Sequence, residues 1–168
     1  MKCSIKKFSE MYETVYRDLY RYALCLMKNP QEAEDAVSEA VITAYENIHK
    51  LKKEEAFKSW IFTILTNKCK KRLKKALKEE PGREEELPEQ PVVPDYDLAI
   101  DVKKAFFVLS EEEQILVGLS VFGGYCSQEI GEMMRLNPNT VRSKRSRALK
   151  KMECVLGSYG EDEKERRE

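Results

Sequence analysis

Seven arginine and lysine residues near the C-terminal end have the spacing of a DNA-binding helix. Residues 135–151 contain no acid and seven cations: Arg135, Arg142, Lys144, Arg145, Arg147, Lys150 and Lys151. Asn137-Pro138 is a strong helix-start signal, because Asn caps the first amides and Pro has no N–H to leave unpaired. A capped basic helix fits the DNA major groove, where cations neutralise phosphates and side chains reach base edges. The alternative interpretation is a solvated surface helix.

A shorter helix is predicted directly before this one. Ile130, Met133 and Met134 form an apolar stripe at helical spacing. Ser127 is the expected N-cap. Two helices joined by a short turn at Arg135 predict a helix-turn-helix. If Arg135 adopts a left-handed backbone conformation in this turn, the strain should cost on the order of 1 kcal/mol of free energy.

The charges of the chain are segregated along the sequence. Thirty Lys and Arg residues balance thirty Asp and Glu residues. Eleven of the cations lie within residues 50–78, whereas residues 79–101 hold nine acids and one cation, Arg83. Four prolines within residues 79–97 oppose helix and strand, so this segment is expected to be an extended, self-repelling linker. The linker divides the chain into two domains.

Three amphipathic helices are predicted before the linker. Small alanines in the second helix imply close packing, and its acids Glu32, Asp35 and Glu39 lie off the apolar stripe. The third helix carries an apolar stripe and many lysines. Cys25, Cys69 and Trp60 are expected in the core.

After the linker, a short helix is expected around Val102 to Leu109. Ser110 and Glu113 then form a capping box that opens the next helix. The predicted fold is all-α, with two small helical domains joined by a flexible acidic linker. The expected divisions are residues 1–78, the linker 79–101, residues 102–157 and a charged, disordered tail at 158–168.

Several kinds of site are not expected. Five scattered cysteines without a CxxC pair and the lone His49 argue against a zinc site and against a disulfide framework. We see neither a glycine-rich phosphate loop nor a His-based dyad in the sequence, so we do not expect an enzyme. No signal peptide or membrane span is visible, so we expect a cytoplasmic protein without metal or cofactor.

The order of these segments resembles the extracytoplasmic-function (ECF) group of bacterial RNA polymerase sigma factors. Residues 8–75 resemble the family's region 2 through FSEMYETVYRDLYRYAL, NPQEAEDAVSEAVITAYENI and FKSWIFTILTNKCKKRLKK. Residues 102–155 resemble region 4 through LSEEEQILVGLSVFGGYCSQEIGEMM and NTVRSKRSRALKKM. A helix-turn-helix alone is shared by many regulators, but this succession is specific.

The resemblance implies three interfaces and an initiation factor without catalysis of its own. Region 2 docks on a coiled coil of the polymerase's largest subunit, at positions that match Glu32, Asp35, Ser38, Glu39 and Ile42. It also opens the promoter −10 element and captures a flipped base, at positions that match Lys50, Lys52, Lys58, Thr63, Asn67, Lys70 and Lys71. Region 4 reads the −35 element, at positions that match Asn139, Thr140, Arg142, Ser143, Ser146, Arg147 and Lys150.

The resemblance also implies an anti-sigma factor as a partner. The chain departs from the family pattern at Arg135, where Gly is usual, at Arg145, where an apolar residue is usual, and at Leu149, where a basic residue is common. We interpret the last two as an apolar contact moved by one helical turn. A stand-alone helix-turn-helix regulator is the alternative function. It would leave the acidic second helix and the basic third helix without a role.

Overall fold

The computed structural model describes the backbone of residues 3–79 and 100–165 and the side chains of residues 3–79 and 102–157. It divides the chain into two compact units, residues 1–93 and 94–168. All regular elements of the described residues are helical, as predicted. Most of the predicted linker, residues 80–99, lies outside the described part.

Residues 3–79 of the first unit form a bundle of three helices. They are α1 (Ile5–Met27), α2 (Pro30–Glu46) and α3 (Phe57–Glu79), with short 3₁₀ turns at Ile48–Lys50 and Glu54–Ala56 between α2 and α3. Asn29 caps α2 as predicted, because its side chain accepts a 3.1 Å hydrogen bond from the Glu32 N–H and Pro30 follows at the first helical position.

Small side chains bring α2 close to its neighbours. Four alanines of α2 are at most 1% exposed: Ala33, Ala36, Ala40 and Ala44. The opposing helices contribute larger buried side chains, including Leu19 and Tyr22 of α1 and Phe62 and Leu65 of α3. The buried Tyr22 hydroxyl is 2.8 Å from Oγ1 of Thr66, which also donates to the Phe62 carbonyl. The buried hydroxyls of Tyr22 and Thr66 are therefore both hydrogen-bonded.

Residues 100–165 of the second unit form four helices: α4 (Ile100–Phe107), α5 (Glu111–Val121), α6 (Ser127–Met134) and α7 (Pro138–Glu165). The predicted capping box at the start of α5 is present, with Ser110 and Glu113 exchanging hydrogen bonds of 2.9 and 3.3 Å. Gln114 fixes the preceding turn, because its side-chain amide donates to the carbonyls of Phe106 and Leu109.

The turn between α6 and α7 depends on one strained residue. Arg135 is left-handed, at φ 56° and ψ 45°. That conformation directs the Leu136 N–H onto the Gly131 carbonyl at 2.9 Å and ends α6. A Cβ on Gly131 would lie 2.7 Å from the Leu136 carbonyl oxygen, so this close approach requires glycine. Arg135 therefore adopts the left-handed conformation whose cost was considered in the sequence analysis.

Two predictions within the helix-turn-helix are wrong. Ser127 is the first residue of α6 rather than its N-cap, which is Cys126. The reason is that Glu129 reaches back to accept a 2.8 Å hydrogen bond from the Cys126 N–H. The apolar contact has not moved to Leu149, which is 47% exposed, because Val141 and Ala148 form the buried stripe of α7 instead.

Predictions at the edges of the units also need correction. Helix α7 runs to Glu165, so residues 158–165 are helical rather than a disordered tail. Glu161, Glu163, Lys164 and Glu165 are good helix formers, and no proline interrupts this stretch. Helix α4 begins at Ile100, inside the predicted linker. Cys69 is fully buried as expected, whereas Cys25 and Trp60 are only partly buried.

Candidate nucleic-acid interface

The residues predicted to face the −35 element lie on one exposed side of α7. Six of them recur at intervals of three and four residues and are exposed, as is Thr140 beside them: Asn139, Arg142, Ser143, Ser146, Arg147 and Lys150. The Arg142 guanidinium donates to the Asn139 side chain at 3.0 Å. Val141 and Ala148, both fully buried, hold the opposite side of α7 in the core. The stripe therefore faces solvent on a fixed helix.

Three other cations of α7, among its residues with described side chains, are engaged within the unit. Lys144 pairs with Glu112 and Lys151 with Glu113, each at 2.7 Å. Arg145 donates to the Ser120 hydroxyl at 3.3 Å. Sequence reasoning could not separate these paired cations from those of the −35 stripe, because their partners lie on α5, 25 to 38 residues away.

The contacts of Glu113 at the start of α5 change the pKa of its carboxyl group. Burial alone would raise the pKa of Glu113. Hydrogen bonds from Lys151 and from the Ser110 N–H outweigh burial, and the pKa of this carboxyl is lowered. Glu113 therefore stays ionised and ties the start of α5 to α7.

Four of the seven residues predicted to act at the −10 element share one side of α3. Thr63, Asn67, Lys70 and Lys71 follow one another at helical spacing. Asn67 and Lys71 are exposed and the other two are partly buried. The Thr63 hydroxyl donates to the Ser59 carbonyl at 2.8 Å, which leaves its oxygen lone pairs as acceptors.

Two more of these residues lie on the loop before α3. Lys50 and Lys52 are exposed on either side of Leu51, which is only 4% exposed and anchors the loop. Lys58 is not brought together with the others. It lies nine residues before Asn67, which is half a turn out of phase, and its Nζ is 3.8 Å from Asp18 of α1.

The predicted docking residues form a stripe along α2. Glu32, Asp35 and Glu39 are spaced by three and four residues, and exposed Ser38 and Ile42 continue the row. The Ile42 side chain is 59% exposed. Asp35 accepts a 3.1 Å hydrogen bond from the Gln31 side chain. The stripe combines negative charge with an apolar end.

One residue of this surface was missed in the sequence. Arg72 of α3 donates to Glu32 at 2.7 Å and also to Glu39, so it bridges the acidic stripe. Burial lowers the pKa of Arg72, but the two carboxylates raise it more, and the net direction is upward. In the sequence Arg72 is one cation within a lysine-rich run, and nothing local distinguishes it.

Two further observations concern metal ligands and membrane-spanning helices. Within the described residues, no three His, Cys, Asp or Glu side chains are grouped so that they could hold a metal ion. None of the helices in that part of the chain is long and apolar enough to cross a membrane.

Comparison with known families identifies both units. The family model for sigma-70 region 2 matches residues 11–79, and the model for sigma-70 region 4 matches residues 104–152. The chain belongs to the ECF group of sigma-70-type sigma factors. It is a promoter-recognition sigma factor, and a stand-alone helix-turn-helix regulator is not favoured, because region 2 accounts for the first unit.

Individual relatives agree with this assignment. The chain is 26% identical over 152 residues to the ECF RNA polymerase sigma factor SigM of Mycobacterium tuberculosis, covering 89% of this chain and 77% of that protein. It is 28% identical over 141 residues to the RNA polymerase sigma factor SigV of Bacillus subtilis, covering 83% and 85% respectively.

A solved structure has the same fold. The sigma factor RpoE of Bartonella quintana, in complex with the anti-sigma factor NepR, matches with a TM-score of 0.80 and 23% identity. The match covers 91% of this chain and 98% of that one.

Proposed function

We propose that this sigma factor uses three separate surfaces to start transcription. The α2 stripe docks on core RNA polymerase, at the coiled coil of its largest subunit. The loop and α3 open the −10 element, and the exposed stripe of α7 reads the −35 element. It acts in the cytoplasm, where the polymerase is, and contributes no catalysis, metal or cofactor of its own.

The observation that carries this proposal is the sorting of charge by surface. Acids with an exposed isoleucine line α2, whereas the exposed cations of α3 and α7 lie on other faces. A negative surface suits a basic protein partner, while cations suit phosphates. One chain therefore offers separate sites for a protein and for DNA.

The α3 surface has the groups that strand opening needs. Flipping a base out of a duplex costs a few kcal/mol, which contacts to the freed strand must offset. Lys70 and Lys71 can follow its phosphates, and Asn67 can hydrogen-bond an exposed base edge. Lys58 is the weakest member of the proposed set, because it lies half a turn out of phase with Asn67 and its Nζ is 3.8 Å from Asp18.

An anti-sigma factor is proposed as a further partner. The Bartonella neighbour, whose overall fold this chain shares, is in complex with one. A protein that covers α2 or α7 would block docking or promoter binding, since both surfaces are exposed.

Charge reversal on α2 tests the docking surface. Asp35→Lys should strongly weaken binding to purified core polymerase, because it places a cation in the centre of the acidic stripe. Glu13→Lys is the matched control, since Glu13 is an exposed acid of α1 in the same bundle and is not part of the stripe. Equal loss in both variants, or none in Asp35→Lys, would contradict the assignment of this face.

A further inference from the structure

Arg72 lies in the basic run of α3, yet its contacts are with the acids of α2. Between residues 68 and 78 the neighbouring cations are Lys68, Lys70, Lys71, Lys74, Lys75 and Lys78. Lys71, Lys74, Lys75 and Lys78 are exposed, as DNA contacts would require. The Arg72 side chain is only 23% exposed, and its Nε is buried without a hydrogen-bond partner in the described part of the chain. Arg72 is therefore turned away from the surface that the exposed lysines offer to DNA.

The bridge constrains two glutamates that would otherwise be independent. Glu32 and Glu39 are seven residues apart, roughly 10 Å along the axis of α2. One nitrogen of the guanidinium binds Glu32 and the other binds Glu39. Because these two nitrogens belong to one planar group, the carboxylates must converge toward a single point. Each exposed glutamate would otherwise sample several rotamers.

The layering of this cluster shows which side is open to a partner. Both glutamate side chains are 47% exposed, about twice the exposure of Arg72. Arg72 engages Oε2 of Glu32 and Oε1 of Glu39, so the other oxygen of each carboxylate can still accept a hydrogen bond. A cation approaching from solvent therefore meets oriented carboxylates with the arginine beneath them.

We infer that Arg72 is a positioning residue of the polymerase-docking face: by bridging Glu32 and Glu39 it pre-orients their free oxygens toward basic side chains of the partner. This inference rests on the proposed docking role of α2. Ordering two long side chains before binding removes a cost that association would otherwise include. Arg72 therefore strengthens binding to a basic partner, although it is itself positively charged, because it orients the two glutamates.

The test is the affinity of full-length protein for core polymerase without DNA. Arg72→Gln should raise Kd about tenfold, as expected when roughly two side chains must be ordered on binding. Lys75→Gln is the matched control, because it removes the same charge from the same helix at a 74% exposed residue that pairs only with Glu79 in the described structure. Its Kd should change less than about twofold.

A double-mutant cycle separates positioning from a general structural role. When Glu32 and Glu39 are both replaced by Gln, the further change Arg72→Gln should leave Kd nearly unchanged, since no carboxylate remains to be oriented. Arg72→Lys keeps the charge but loses the planar fork, and an intermediate rise in Kd of about threefold is expected. This variant is measured if Arg72→Gln fails to fold in a thermal melt.

Three results would overturn the inference. Arg72→Gln or Arg72→Lys could bind core polymerase as tightly as the wild type or more tightly, which would make Arg72 a competitor of the partner. The loss could persist in the double-Gln background. Arg72→Gln could also impair promoter opening at saturating polymerase with unchanged Kd, which would assign Arg72 to DNA. By contrast, a wild-type protein that does not bind core polymerase would refute the proposed function itself.

Discussion

Arg142 and Lys144 are two cations of α7 whose mutations should have different effects on promoter binding. Arg142 is exposed on the −35 stripe, whereas Lys144 is bound to Glu112. If Arg142 makes a bidentate contact with a base, Arg142→Ala should cost roughly 1–3 kcal/mol, which is about a 5- to 150-fold loss of affinity. The base preference of the variant at one base pair of the −35 element should become weaker at the same time.

The contacts of the free protein correct this estimate only slightly. Arg142 must leave its 3.0 Å hydrogen bond to Asn139 before it binds a base. Exposed side-chain pairs at such spacing contribute about 0.2–0.5 kcal/mol, well below the expected gain. Lys144→Ala removes an ion pair with 33% and 43% exposed partners. That change should lower stability by at most about 1 kcal/mol and leave promoter affinity within about twofold.

The assay is transcription by the reconstituted holoenzyme from promoters randomised across the −35 element. Arg142→Ala should flatten the base preference at one position, and Lys144→Ala should leave the preference profile unchanged. Lys150→Ala serves as a phosphate-type comparison, with uniformly weaker binding and a salt dependence reduced by about one unit of slope. An Arg142→Ala profile that stays sharp at every position, or a Lys144→Ala profile that relaxes, would refute the assigned register of α7.

Three other changes test the opening surface, the core and the cap. Asn67→Ala should leave holoenzyme formation intact but reduce permanganate reactivity of −10 thymines, and unchanged reactivity would remove α3 from the opening step. Tyr22→Phe should lower the free energy of unfolding by about 0.5–1.5 kcal/mol in a urea titration, because the hydrogen bond between the Tyr22 hydroxyl and Thr66 Oγ1 is lost while Thr66 keeps its bond to the Phe62 carbonyl. A loss of zero would contradict that pairing. Glu113→Gln should cost at most about 1 kcal/mol at neutral pH, because Gln keeps the acceptor for the Ser110 N–H but loses the ion pair with Lys151. Since the folded pKa of Glu113 is lowered, the cost should vanish as the pH falls through that pKa; a pH-independent difference would contradict the Lys151 ion pair.

Local signals in the sequence predicted the helices well. Short motifs of at most four residues mark where three of the helices start: Asn29-Pro30, the Ser110–Glu113 box and Asn137-Pro138. Local signals were less successful inside α7. Val141 and Ala148 form its buried side, whereas the sequence had placed the apolar contact at Leu149, which is exposed.

Partners distant in the chain could not be predicted. The bridge from Arg72 to Glu32 and Glu39 joins residues 40 and 33 positions apart, and it exists only because α2 packs on α3. The same holds for the pairs that occupy Lys144 and Lys151. The sequence showed clusters of charge, and packing decided which members stay exposed.

The most direct test of the central claim is transcription by purified core polymerase on fragmented bacterial DNA, with and without this protein. We expect discrete start sites that appear only when the protein is added and that share −35 and −10 sequences at a fixed spacing. The protein should also co-elute with core polymerase in the absence of DNA. A protein that binds duplex DNA by itself, does not associate with polymerase and leaves the start sites unchanged would contradict the account.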